Sequence, residues 1–292
     1  MENGLVTQKD PAQEFEAVRS RLFGLAYRML GARADAEDVV QETYVRWHQV
    51  DRGVVENPEA WLVTAATRLA IDRLRRLKTE REAYVGPWLP EPIVSEASMP
   101  DRPLELATDL SMAMLTLLET LAPEERAAFL LHDVFDVDYD RIAGILGRNE
   151  AACRQMIHRA RQHVRGDRKR FESSPSDKLA MLEKFKSAVE ASDEATLFEL
   201  FAPDAVWTAD GGGKTAASPR PLVGSETIVK LLLGLRRIWP AHRTMELSMV
   251  NGEPGLIFRE HGQAMAVVAL DISEGRISSV FAVVNPDKLP QQ

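Results

Sequence analysis

From residue 13 to residue 78 apolar positions recur every three or four residues, with few breakers, which predicts helices packed by one face. In Ala34–Trp47, a helical period of about 100° per residue puts Ala36, Val40, Thr43 and Trp47 on one face. Asp38, Gln41, Glu42 and Val45 fall opposite. The apolar face reads as core, and the acidic and amide face as either a solvated surface or a dock for a partner. A second helix is predicted from Pro58, after Asn57, to about Lys78. Leu62, Ala65, Ala66 and Leu69 share one face, while Trp61, Thr64, Arg68, Asp72 and Arg75 line the other.

Periodicity then fails. Residues 80–108 hold five prolines, Pro87, Pro90, Pro92, Pro100 and Pro103, and read as a linker. Residues 109–171 return to helical spacing. Pro123 with Glu124 and Glu125 opens one helix in the manner of a first turn. A short helix follows over Asp140–Leu146, stopped by Gly147. Asn149 then caps a helix over Glu150–Arg165. Its buried stripe is Cys153, Met156, Ile157, Ala160 and Val164. Its exposed stripe is Arg154, His158, Arg161 and Arg165, flanked by Gln155, Arg159 and Gln162. Two helices joined by a short, glycine-started turn, the second of them basic, predict a helix-turn-helix whose second helix enters a major groove. An ordinary helical hairpin is the competing reading.

A second linker, Ser173–Ser176, separates this part from a different texture. Two helical patterns lead to a strand-like Ala205–Thr208, a glycine run and a helix near Ser225–Trp239. Strand-like runs follow, ending with Ala264–Asp271, the turn Ser273-Glu274-Gly275 and Arg276–Val284. Helices first and strands later predict an all-α part followed by an α+β part.

The 292 residues are enough for two or three domains. A net charge of −8 argues against a general polyanion binder, but the distribution is uneven. Residues 150–170 carry seven basic side chains against two acidic ones, whereas residues 101–150 carry four against eleven. The basic stretch fits either a phosphate backbone or a solvated face. Trp61 beside Arg68 and Arg75 suits melted nucleic acid, because bases stack on rings while guanidinium groups hold phosphates. Trp61 fits core packing equally well. The single cysteine, Cys153, excludes an internal disulfide and fits a reducing cytoplasm. The longest uncharged stretch, Ile277–Pro286, is ten residues, too short for a membrane helix, and Met1–Asp10 lacks the pattern of a signal peptide. His158 and His163, five apart, do not share a helical face, so no metal site or cofactor is read from the sequence.

Together these segments resemble the sigma factors of the extracytoplasmic-function group. Leu25–Met29 followed by Asp35–Thr43 is similar to the helix with which sigma domain two grips the clamp helices of RNA polymerase. Pro58–Arg76 resembles the segment that melts and reads the −10 element, and Leu121–Arg165 resembles sigma domain four, which reads the −35 element. The resemblance implies that Asp38, Gln41 and Glu42 contact polymerase. It implies that Trp61, Arg68 and Arg75 approach the −10 strand, with residues 49–57 capturing a flipped base. Arg154, Gln155, His158 and Arg159 then meet −35 base edges, and Arg161 and Arg165 meet phosphates.

The C-terminal stretch resembles a SnoaL-like cone, of the nuclear-transport-factor-2 type. Sigma factors with this extension form a subgroup whose marks are here Trp88-Leu89-Pro90, Asp210-Gly211-Gly212-Gly213-Lys214 and Asn285-Pro286-Asp287-Lys288. The expected domains are 1–79 (sigma domain two), 80–108 (linker), 109–172 (sigma domain four) and 173–292 (the cone, regulating in cis). The glycine run is not a phosphate loop: the required first glycine falls at Thr208. It reads as tight backbone that places Asp210 and Lys214 at a domain contact, or as a plain structural turn. Asp210, His242, Glu260 and His261 are candidates, by residue type alone, for acid–base chemistry in the cone. Two competing functions follow: a stand-alone helix-turn-helix regulator, and a bifunctional protein whose cone binds or converts a small hydrophobic ligand. The expected free form is a compact monomer with the linker held against the cone.

Overall fold

A computed structural model describes residues 10–95, 110–168 and 174–290, leaving aside the side chains of Arg52 and residues 165–168. The chain divides into two compact units, residues 1–76 with 123–157 and residues 77–122 with 158–292.

The first unit is all-α. Helix α1 (Pro11–Leu30) starts where the Asp10 carboxylate accepts from the Ala12 N–H, and stops at Gly31, whose φ of 70° is left-handed. Its second half, Leu22–Leu30, is buried on every side. It packs against α2 (Arg33–Gln49) and against α5, the helix over Pro123–Asp133. Helix α2 buries Ala36, Val39, Val40, Thr43 and Trp47, which contains the whole predicted apolar face. Buried Thr43 and Thr67 return their hydroxyl protons to the carbonyls of Val39 and Val63, so neither is left unsatisfied in the core.

Helix α3 runs over Pro58–Glu82, four residues past the predicted end. Its buried stripe is Leu62, Val63, Ala66, Ala70, Ile71 and Leu74. Ala65 and Leu69 are only half-buried, because the core contacts this helix one position further round than simple apolar counting placed it. Helices α6 (Tyr139–Leu146) and α7 (Glu150–Arg168) form the helix-turn-helix. Gly147, at φ 63°, ends α6, and the Asn149 side chain accepts from the Ala152 N–H at 2.8 Å to start α7. Cys153, Met156, Ile157, Ala160 and Val164 are all buried, as the pattern predicted. Burial pushes the Cys153 thiol up, so it stays protonated and inert.

The second unit is α+β. One sheet has the order β1-β4-β5-β6-β7-β2-β3, from β1 (Val94–Ser95), β2 (Phe201–Asp210), β3 (Leu222–Val223), β4 (Arg243–Val250), β5 (Glu253–Glu260), β6 (Gln263–Ser273) and β7 (Arg276–Val283). All neighbours are antiparallel except β2 and β7. Helices α8 (Pro175–Ala191), α9 (Glu194–Leu200) and α10 (Ser225–Arg237) cover one face, where Phe185 of α8 shares a core with Phe201, Leu256, Val268, Leu270 and Val280. The opposite face buries Val250, Ile257, Val267, Ala269 and Val283 beneath Leu89 and Met112, the latter opening α4 (Met112–Leu118). Successive residues of β6 thus feed alternate cores. This explains why the segment reads as a continuous apolar run rather than an alternation.

Residues 84–95 therefore belong to a folded unit. The Ile93 N–H and carbonyl pair with Asn251, and Val94–Ser95 extends the sheet beside β4. Of the stretch read as a linker, residues 96–108 lie outside the described residues, as do Pro100 and Pro103.

Candidate nucleic-acid interface and linker anchor

On α2, Asp38, Gln41 and Glu42 are all exposed on the face away from the core. Glu42 holds Arg46 one turn on at 2.9 Å, a solvated pair that leaves its second oxygen at the surface. The arrangement is an acidic and amide ridge on a rigid helix, suited to a basic or amide-bearing partner.

Trp61, Arg68 and Arg75 share one side of α3 but do not stand free. The Trp61 ring lies 5.3 Å from that of buried Trp47 and is half-buried. The Arg68 guanidinium donates to the carbonyls of Gly144 and Ile145, both at 3.0 Å, and so caps the C-terminal end of α6. Arg75 bridges Asp72 on its own helix and Glu124 at the start of α5. Burial pushes the Glu124 carboxyl up, but the hydrogen bond and charge of Arg75, a backbone N–H and the charge of Arg148 together hold the group below the ordinary value. Two further arginines join the same helices. Arg21 donates to the Phe135 carbonyl at 2.8 Å, and the fully buried Arg126 donates to the Arg28 carbonyl at 2.9 Å. The residues read as −10 contacts therefore pack, inside the first unit, against the helices that precede the basic helix.

On α7, Arg154, Gln155, His158 and Arg159 are exposed and Arg161 is half-exposed. The Arg165 side chain lies outside the described residues. Arg154 pairs with Glu150 at 2.6 Å and sits 5.1 Å from the Tyr139 ring centroid, while His158 bonds Gln162 at 3.0 Å. Each is a contact between exposed groups, easily exchanged for a base edge or phosphate.

The second unit gathers the three remaining motifs around one carboxylate. Asp210, at the end of β2, is fully buried. Its Oδ1 accepts from the Tyr84 hydroxyl at 2.5 Å. Its Oδ2 accepts from the Leu89 N–H at 2.8 Å and the Lys288 ammonium at 2.7 Å. Lys288 also donates to the Leu89 carbonyl at 2.6 Å. Two cations approach the Trp88 ring, with Arg81 Cζ 3.5 Å and Lys288 Nζ 4.1 Å from its centroid. Arg81 is itself paired with Glu119. Asn285 donates to the Tyr84 oxygen at 2.8 Å and caps the turn Pro286–Lys288 by accepting from the Asp287 N–H. Pro286 and Asp287 are exposed, and Asp287 pairs at the surface with Lys214.

Burial lowers the Lys288 ammonium to about 8 despite Asp210, and burial together with Asp210 raises the Tyr84 phenol. Gly211 and Gly212 leave room for the backbone where a side chain would strike Thr215, or Asn285 and the Tyr84 oxygen; Gly212 has φ 57° besides. Gly213 passes the Val85 side chain, and Leu89 and Pro90 are buried. The three motifs are thus one structure, with Asp210 at its centre and both its oxygens occupied. Sequence reasoning missed Tyr84, Arg81, Glu119 and Asn251. No local pattern marks them, since Tyr84 meets partners 126 and 201 residues away.

Two stretches of the chain match known protein families. Residues 15–80 match sigma-70 region 2, and residues 111–164 match sigma-70 region 4. The sigma factor SigJ of Mycobacterium tuberculosis is 38% identical over 94% of this chain and 92% of its own. The chain belongs to the extracytoplasmic-function sigma factors. SigI of the same organism, described as a probable sigma factor of this group, is 29% identical over 97% of both chains. The crystal structure of SigJ superposes with a TM-score of 0.78, covering 95% of this chain and 97% of that one at 34% identity. The likeness spans the C-terminal α+β unit as well as the helices. As a sigma factor the chain binds RNA polymerase core and promoter DNA and directs transcription initiation. Among the described residues no helix is long and apolar enough to cross a membrane.

Proposed function

We propose that this sigma factor is regulated in cis by its C-terminal domain, which acts by holding the segment between the two promoter-reading domains. The observation that carries the proposal is the triple engagement of buried Asp210 with Tyr84, Leu89 and Lys288. A segment bonded through its backbone N–H, its backbone carbonyl and two aromatic side chains is not a free tether. It restricts where residues 1–79 and 109–172, taken as sigma domains two and four, can be placed. Residues 173–292 form the regulatory domain in this reading.

The finer contacts follow from the exposed faces. Asp38, Gln41 and Glu42 meet the clamp helices of the largest polymerase subunit. Trp61, Arg68 and Arg75 serve the melted −10 strand once Arg68 and Arg75 leave their internal partners. Arg154, Gln155, His158 and Arg159 read the −35 duplex, with Arg161 and Arg165 on phosphates. The free protein is a cytoplasmic monomer. A small ligand in the C-terminal domain alters output only by favouring one placement of the linker over another.

Run-off transcription with bacterial core polymerase, on a promoter from upstream of the chain's own operon, tests this. The intact chain is compared with one ending before Asn285 and one ending before Asp177. Transcripts from the intact chain with altered output from the shortened ones support the proposal. Equal output from all three refutes regulation in cis. No transcript from any, with a DNA shift by the intact chain alone, refutes the polymerase contacts of Asp38, Gln41 and Glu42.

A further inference from the structure

Strand register brings three metal-binding side chains to one corner of the second unit. β4 and β5 are antiparallel with Arg243 opposite Glu260, so His242, just before β4, comes opposite His261, just after β5. The His242 Nε2 lies 2.9 Å from Glu260 Oε1. The two imidazole rings stack with centroids 4.0 Å apart and planes 24° from parallel. One donor atom from each of the three residues lies within 4.8 Å of the other two.

The surroundings prepare these groups. Arg243 binds Glu260 Oε2 at 2.6 Å and fixes the orientation of the carboxyl group. Oε1 is left facing the histidines. His261 is not on a mobile loop. With Gly262 it forms a two-residue turn, at φ 50° and 83°, between the paired residues Glu260 and Gln263. Nearby, Arg259 donates to the Gly262 carbonyl and pairs with Glu246. A metal ion held by both rings uses one nitrogen lone pair from each.

We propose that His242, Glu260 and His261 form a binding site for a divalent transition metal of zinc's class. Two imidazoles and one carboxylate are a zinc donor set with the fourth position left to water. Bonds of about 2.1 Å need donors about 3.4 Å apart, which modest rotation of the imidazoles from the stack provides. The bound ion ties the start of β4 to the β5–β6 turn and so stabilises that corner of the sheet.

The test uses the tag-free full chain, titrated with Zn²⁺ against a chromophoric chelator, with Co²⁺ absorption as a second readout. One equivalent is expected to bind, to raise the melting temperature and to give a Co²⁺ visible band. His261→Asn and Glu260→Gln each weaken binding by about tenfold or more and remove the band. Asparagine accepts the left-handed turn readily, so His261→Asn keeps the fold, which its metal-free melting curve verifies. His163→Asn, at an exposed histidine of α7, is the control and leaves binding unchanged. Zinc binding equally tight in His261→Asn, or absent from the unaltered chain, overturns the proposal. So does an equal loss in His163→Asn.

Discussion

Replacing Asp210 by alanine removes the acceptor for three donors at once. The Lys288 ammonium, with its side chain only 11% exposed, loses its counter-charge, and the Leu89 N–H loses its bond. Removing one partner of a buried ion pair costs about 3–5 kcal/mol. The lower end applies here, because Lys288 keeps the Leu89 carbonyl and the Trp88 ring and, near pH 8, releases its proton cheaply. About 3 kcal/mol, at about 1.4 kcal/mol per decade, is on the order of a hundredfold in the opening equilibrium of the docked segment.

Amide hydrogen exchange in the full chain reads this directly, in peptides covering residues 84–95. Asp210→Ala is expected to accelerate exchange at Leu89 by on the order of a hundredfold, while α1 is unaffected. The double variant Asp210→Ala, Lys288→Met removes both charges and is expected to recover about tenfold of the loss, because much of the single-variant cost is the orphaned ammonium. Leu89 exchange within about threefold of the unaltered chain would show that the carboxylate does not hold the linker, contrary to its geometry. Strict additivity of the two substitutions would refute the pairing.

Other outcomes follow from the same contacts. Gly212→Ala forces a Cβ against Asn285 and the Tyr84 oxygen at a left-handed φ, and is expected to cost about 1–3 kcal/mol in a urea melt of the second unit. Lys288 titrates at about 8 in the fold against 10.5 when unfolded, so its burial penalty is full below pH 8 and is relieved as pH rises towards 10. The stability of the unaltered chain relative to Lys288→Met should therefore climb between about pH 8 and 10. Above that range the raised Tyr84 acts in the opposite direction, since the unfolded phenol ionises first. Arg154→Ala is expected to weaken the promoter complex by about tenfold or more without changing core-polymerase affinity, measured by footprinting and by fluorescence binding to core. Glu124→Ala removes one of the two carboxylates that hold Arg75 while leaving every proposed DNA contact intact, and should raise promoter binding about twofold to fivefold; a fall would refute competition between the two.

Helical parts were legible because one face of each helix is core and the other is not. The stripe from Cys153 to Val164 and the face from Ala36 to Trp47 appear in the structure residue for residue. Periodicity gave less on α3, whose apolar residues spread over a wider arc than the core uses. It failed for residues 84–95, which have no period of their own: their order is imposed by Asn251, Asp210 and β4, more than a hundred residues on. Alternation failed in β6 for the opposite reason, since Val267 and Val268 are both buried, on opposite faces. Asp210, Asn285 and Lys288 were found through family resemblance. Composition alone gave no ground for putting a buried carboxylate, a capping amide and a buried ammonium in one cluster.

If Arg68 and Arg75 serve the −10 strand as proposed, their internal contacts would keep the chain silent when free and active when engaged. Arg68 makes two charge-assisted bonds to helix-end carbonyls, together worth a few kcal/mol at most, and the exposed Arg75–Glu124 pair adds under about 1 kcal/mol. A closed state favoured by about 3 kcal/mol leaves under about 1% of molecules open, so promoter affinity falls by the same hundredfold. That is enough to suppress binding to DNA alone. It is small beside the free energy available once polymerase and several phosphates are engaged together. DNA offers Arg68 and Arg75 phosphates in place of a carbonyl and a carboxylate, so the same guanidinium groups serve both states. On the proposed −10 role, the contacts of Arg68 with Gly144 and Ile145 and of Arg75 with Glu124 cannot persist while both hold DNA. The Asp210 cluster is built from other residues, Tyr84, Leu89 and Lys288, so under the regulation in cis proposed above it is independent of that exchange.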